Sequence, residues 1–180
     1  GSKSEYTGVA YRLFPYANLE WQLPLLKSDG AIRQTLEPVA SIAMAPNGGN
    51  SEKIPNEDST DFEFDETSIF SINRFGGIDR VEGGPRINYG LKWGVFGKDN
   101  SSSTAFIGQT YRFRTDSTFS SGSGLEENFS DIVSSVSISP HSYFNLLYRT
   151  RFASDNFSPN RNELNIVAGV PAARISAHYI

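Results

Sequence analysis

Apolar and polar side chains take turns along most of this chain, and a period of two dictates strands with two chemically different faces. Over 85–97, Ile87, Tyr89, Leu91, Trp93 and Val95 are apolar, while Arg86, Asn88, Gly90 and Lys92 between them are polar or small. Over 103–114, Ala105, Ile107, Tyr111 and Phe113 oppose Thr104, Gly108, Thr110, Arg112 and Arg114. Phe144, Leu146, Tyr148 and Phe152 oppose Asn145, Arg149 and Arg151, and Leu164, Ile166, Ala168 and Val170 oppose Glu163 and Asn165. The last segment sets Ile175, Ala177 and Tyr179 against Arg174, Ser176 and His178. Nearer the start, Leu19, Trp21, Leu23 and Leu25 alternate with Asn18, Glu20 and Gln22, and a run over 32–44 opposes Ile32, Leu36, Ala40, Ile42 and Met44 to Arg33, Thr35 and Glu37. Weaker alternation over 5–13 and 129–139 brings the expected count to nine strands, with essentially no helix.

A membrane-crossing helix needs roughly 18 consecutive apolar residues, and the longest such run here is the four at 42–45. The absence of cysteine removes disulfides, thiolate zinc sites and cysteine nucleophiles, and two histidines are too few for a multi-histidine metal site. A net charge of −4 argues against a nucleic-acid partner. That charge is concentrated: residues 46–68 hold seven acids against Lys53, and the remainder is slightly basic. Gly1-Ser2 reads as a scar of tag removal, leaving 3–180 as the folding unit.

Two all-β architectures alternate in this way. A soluble sandwich turns its apolar residues inward, whereas a transmembrane barrel turns them to lipid and lines its lumen with polar ones. Segments of 9–13 residues suit a crossing strand, for which about 9–11 are needed. Long cations such as Arg86, Arg112 and Arg149 on the polar face suit a wet interior. Connections also alternate: those at 26–30, 98–102, 140–141 and 171 are short, while those at 46–84, 115–128 and 154–161 are long. Short periplasmic turns and long extracellular loops produce this pattern in outer-membrane barrels; the short connection at 14–16 breaks it. Trp21, Tyr89, Trp93, Tyr111 and Tyr148 fit lipid-facing or girdle positions in a barrel, or the core of a sandwich.

Several short motifs follow in a definite order: Arg12-Leu13-Phe14-Pro15, Thr35-Leu36-Glu37-Pro38, and Ile54-Pro55-Asn56-Glu57-Asp58-Ser59. Then come Asn73-Arg74-Phe75-Gly76-Gly77-Ile78-Asp79-Arg80, Tyr89-Gly90-Leu91, Gly108-Gln109-Thr110-Tyr111-Arg112, Ser123-Gly124-Leu125 and Ser130-Asp131. From about Tyr11 to Arg151 the set resembles the middle of the C-terminal barrel of the LptD family, in an alphaproteobacterial style. The resemblance implies an antiparallel up-and-down β-barrel fragment of about nine strands, part of a larger barrel in the Gram-negative outer membrane. It implies a translocon that inserts lipopolysaccharide into the outer leaflet, with an LptE-type plug lipoprotein in the barrel. It further implies a periplasmic Lpt bridge that docks through an N-terminal domain this chain lacks, and a lateral gate outside it. Nine strands fall short of closing such a barrel, so the chain is expected to be one part of a larger assembly or a swapped or artificially closed species. A passive outer-membrane porin or adhesin barrel is the alternative, and a soluble β-sandwich binding module a third.

The polar face supplies the site candidates. Arg33, Arg86, Lys92, Arg112, Arg114, Arg149, Arg151 and Arg174, with Arg12, outnumber the acids Glu20, Glu37, Asp131 and Glu163. Guanidinium forks match phosphate and carboxylate, so this wall either guides an anionic glycolipid or pairs with acids, a plug or water as ordinary barrel filling. The loop at 46–84 is acidic and then glycine-rich: Asp61 to Glu66 offers oxygen ligands to a divalent cation but lacks EF-hand order, which favours a solvated loop. Gly76, Gly77, Arg74 beside Asp79, and Arg80 beside Glu82 read as a structured loop packing over the barrel, and Glu37 and Pro38 join these motif positions. No glycine-rich phosphate cradle precedes a helix, and no G-x-S-x-G accompanies His141 or His178. Neither catalysis, a metal nor a cofactor is expected.

Overall fold

In the computed structural model, residues 13–46, 64–71, 82–115, 123–125, 127–170 and 172–180 are described. They form one antiparallel sheet of nine strands: β1 (Ala17–Gln22), β2 (Leu25–Asp29), β3 (Ile32–Met44), β4 (Arg86–Phe96), β5 (Ser102–Arg112), β6 (Ile132–His141), β7 (Phe144–Phe152), β8 (Pro159–Val170) and β9 (Ala173–Tyr179). From β3 to β9 each strand pairs with the next in sequence, and β1 and β2 both pair with the free side of β3. This is the up-and-down, all-β arrangement that the alternation requires. β9 makes no contact with β1 or β2, so the sheet is open among the described residues.

The expected strand at 18–25 is shorter than the true one, and the turn expected at 26–30 lies later. Gln22 faces Val39 and Leu25 faces Leu36 with no change of register, so β1 and β2 are one line interrupted at Leu23-Pro24. Proline has no N–H for the ladder, and Leu23 N–H still reaches Pro38 C=O at 3.1 Å. The chain reverses instead at Gly30-Ala31, where Gly30 has φ of 58°, the positive first angle of a II′ hairpin turn. Alternation fails at Leu25-Leu26-Lys27, which is why it underestimated the strand. The segment expected at 5–13 lies almost wholly outside the described residues, as does Arg12.

Short turns gather at one end of the sheet and the long connections, 45–85, 113–131 and 153–158, at the other. Strands of 11 residues rise ~3.4 Å per residue, about 37 Å in all. Tilted by about 45°, that spans the ~25 Å apolar band of an outer-membrane barrel.

Polarity across the sheet decides between the two architectures. Leu19, Trp21, Leu36, Tyr89, Leu91, Trp93, Ile107 and Ile175 are exposed, all on one face, while Arg86, Asn88, Thr110 and Arg112 on the other are at most 2% exposed. A sandwich would show the reverse.

Candidate functional site

Residues directly opposite in an antiparallel ladder share a face, so the registers assemble the polar face row by row. The row nearest the long connections pairs Arg86 with Arg112; the next runs Ser41, Asn88, Thr110. Then come Val39, Gly90, Gly108, Val133 and Arg151, and after them Glu37, Lys92, Phe106, Ser135, Arg149 and Glu163. The rows closest to the short turns hold Thr35, Gly94, Thr104 and Ser137, then Arg33, Phe96, Ser102 and Ser139. Arg174 lies on this face of β9, opposite Gly169. Seven of the eight basic candidates therefore share one surface. Arg114 does not: β5 ends at Arg112, whose N–H is taken by Asn128 C=O at 2.7 Å, and Arg114 follows in an exposed bend.

Segments of the long connections cover the upper rows. Asp65 builds a turn, its Oδ1 accepting from the N–H groups of Thr67 and Ser68 at 2.9 and 3.1 Å. That turn delivers Phe64 and Ile69 to the sheet, where they are buried with Val39, Phe106, Leu125 and Val133. Phe70 meets Phe106 edge to face, with ring centroids 6.2 Å apart. The paired glycines make the seat: a Cβ on Gly108 would lie 2.8 Å from Ile69 Cδ1 and 2.6 Å from the Phe106 ring. Only positions without side chains admit both.

Ion pairs pin these segments. Glu66 accepts from Arg149 Nε at 2.6 Å, and Arg149 Nη1 reaches Glu163 at 3.3 Å. Glu82 contacts both Arg112 and, at 3.5 Å, Arg86, whose Nη2 also donates to Ser71 C=O at 3.1 Å. Arg151 donates to Ser123 C=O at 3.1 Å and lies 3.4 Å from Asp131. Asp131 N–H in turn donates to Gly124 C=O at 2.8 Å. Gly124 has φ of 78°, and a Cβ there would strike the Asp131 carboxylate. Beneath, Asn88 donates to Ser41 at 2.8 Å and accepts from Thr110 at 2.9 Å, so the buried polar row satisfies itself. A cavity of about 240 Å³ remains between the 64–66 turn and β7–β8, lined by Phe64, Glu66, Arg149, Arg151, Arg161 and Glu163.

These placements correct several expectations. Glu82 joins Arg86 and Arg112 across the sheet end, partners that its neighbourhood in sequence did not suggest. Arg74, Gly76, Gly77, Asp79 and Arg80 lie outside the described residues. The described part of the acidic run is no solvated loop: Phe64 is 1% exposed and Glu66 holds an arginine. Asp61 and Glu63 fall outside the described residues. His141 ends β6 rather than forming a turn, its Nδ1 accepting from Tyr143 N–H at 3.1 Å. Glu37 faces Lys92 at 3.5 Å on two half-open side chains. Sequence reasoning missed the footing of Val39, Phe106 and Val133. Their signal was present as apolar residues on the wrong parity.

An exposed apolar face backed by buried arginines and inserted loop segments is the geometry of a membrane barrel wall. A family model described as LPS transport system D matches residues 1–180, the whole chain. The chain belongs to the LptD family. Membership assigns it to lipopolysaccharide transport, a transport and assembly role at the Gram-negative outer membrane, and sets the porin and sandwich readings aside. A comparison with curated proteins finds no significant match. For an LptD barrel wall, the rim cluster of Tyr111 with Phe113 and Phe129, centroids 5.3 and 4.8 Å apart, lies at the long-connection end as an aromatic girdle does.

Proposed function

We propose that this chain forms a section of the wall of an outer-membrane translocon that inserts lipopolysaccharide into the outer leaflet. The observation that carries the reading is the reversed polarity of the sheet, with its apolar face open and its guanidinium face covered by residues 64–71 and Glu82. In this reading the long connections are extracellular, and a plug lipoprotein of the LptE type and the periplasmic Lpt bridge belong to the same assembly. The basic residues divide the work. Arg86, Arg112, Arg149 and Arg151 hold loop segments against the wall through Glu82, Glu66 and Asp131. Arg33, Lys92 and Arg174, more open, face the lumen where an anionic glycolipid passes.

Depleting the protein in its own bacterium tests the reading. Newly made lipopolysaccharide should vanish from the cell surface, measured by labelling intact cells, and should return with the wild-type gene. Among complementing variants, triple reversal to Glu at Arg33, Lys92 and Arg174 should slow surface arrival while leaving the barrel folded. Undiminished surface lipopolysaccharide after depletion would overturn the proposal.

A further inference from the structure

We propose that the apolar face carries a seat for one acyl chain of a membrane lipid, centred on Ala40; this rests on the membrane reading above. Trp21, Ala40, Tyr89 and Gln109 stand in one cross-strand row over β1, β3, β4 and β5. A methyl group between an indole and a phenol makes a dip, and Pro38 continues it in the next row beside Leu91 and Ile107. The result is a groove of about 560 Å³ with the backbone of Gly90 and Gly108 in its floor. Among the described residues, no charged one lines it. A protein-binding patch carries a polar rim, whereas this groove runs without a break into the exposed apolar face around it.

One end of the groove is polar. The Tyr89 hydroxyl donates to Gln109 Oε1 at 2.6 Å, and Gln109 Nε2 donates to Ser130 C=O at 3.0 Å. A primary amide has two donor hydrogens and a phenol oxygen two lone pairs, so the pair has capacity for an ester or hydroxyl of a lipid. A hydrocarbon trough ending in one hydrogen-bonding pair matches an acyl chain with its ester. It lies toward the long-connection end of the sheet, as Ala40 lies near the Met44 end of β3.

The chain has two tryptophans, and they serve as the experiment. Trp21 lines the groove, while Trp93 stands on the same face outside it, in a row with Leu36 and Ala105. The 180-residue chain in detergent micelles is titrated with a phospholipid brominated on its acyl chains, using Trp93→Phe to isolate Trp21 and Trp21→Phe to isolate Trp93. Trp21 should reach half quenching at a lipid-to-detergent ratio at least about fourfold lower than Trp93, the ~0.8 kcal/mol of one additional buried methylene. Ala40→Leu, which fills the dip, should bring the Trp21 curve onto that of Trp93. Coincident curves in the unfilled protein mean ordinary lipid contact and overturn the seat. Quenching of Trp93 with none of Trp21 means that protein covers the groove, which also overturns it. Quenching of neither tryptophan would instead sink the membrane reading on which the seat depends.

Discussion

The two ends of the polar face are built from similar small residues and behave differently. Ser41, Asn88 and Thr110 form one cross-strand row near the long connections, and Thr35, Gly94, Thr104 and Ser137 form another near the short turns. The three side chains of the first row are buried and bonded to one another, while Thr35, Thr104 and Ser137 in the second are half-exposed. What separates them is cover. A connection reaching from Met44 to Arg86 has length to fold back over its own sheet end; a two-residue turn at 142–143 has none. Charges follow the same division: under the cover the direct attraction within an ion pair is strongest, and each charge, stripped of its hydration, depends on its partner. The covered end is therefore buried and bonded within itself, and the open end presents its hydroxyls and amide to whatever fills the lumen, as with Asn145 bonded to Ser139 at 2.8 Å.

The most severe way to break the covered end is Glu82→Gln. Arg86 and Arg112 stand side by side across β4 and β5, and Glu82 contacts both; the side chains are at most 2% exposed. Removing one member of a buried pair costs about 3–5 kcal/mol, because the charge left behind remains desolvated. Urea unfolding of the chain in micelles should show that loss. A shift below about 1 kcal/mol would mean that water already reaches the cluster and that the two ends differ less than the burial implies.

Next in size is Ile69→Ala. Ile69 is fully buried on the glycine seat, and truncating a buried isoleucine costs about 2–5 kcal/mol. Here the lower part of that range is expected, since the loss falls on the docked segment rather than on the sheet ladder. Protease cleavage within 64–71 should accelerate while the strands stay protected. Equal acceleration across the sheet would show instead that segment and wall form one cooperative unit.

How far these contrasts were legible beforehand depended on the kind of signal. Periodicity located the strands from Arg86 to Tyr179 and the parity of Arg33, Lys92 and Arg149, because a strand enforces two faces on every residue. It failed where parity carries no information. Pro24 interrupts a ladder whose register continues through Leu25, and Arg114 lies beyond the last residue of β5, in an exposed bend. The docked segment was harder still. Phe64 sits among acids, and charge density alone made 61–66 read as solvated; only the pairing of Glu66 with Arg149 across 83 positions turns that acidity into an anchor. Long-range partners of that kind leave no local pattern. Val39, Phe106 and Val133 did leave one, as apolar residues on the polar parity. An apolar residue on a lumen face implies something seated on it.

The finest test of the comparison sets two carboxylates against each other. Glu66 meets Arg149 at 2.6 Å under the docked segment, with side chains 14% and 28% exposed respectively, while Glu37 meets Lys92 at 3.5 Å in the open region, with the lysine 53% exposed. Exposed pairs contribute about 0–1 kcal/mol, since solvent screens them and holding two long side chains costs entropy. Glu37→Gln should thus leave the unfolding midpoint unchanged within error, about 0.3 kcal/mol, and Glu66→Gln should lower stability by about 1 kcal/mol. Salt adds a second axis to the same measurement. Raising ionic strength from about 0.1 to 1 M shortens the Debye length from ~10 to ~3 Å, which should erase any residual Glu37 effect and retain most of the Glu66 effect. If both variants respond alike to salt, the cover over Arg149 does not exclude water, and the distinction between the two ends rests on the buried cluster around Glu82 alone.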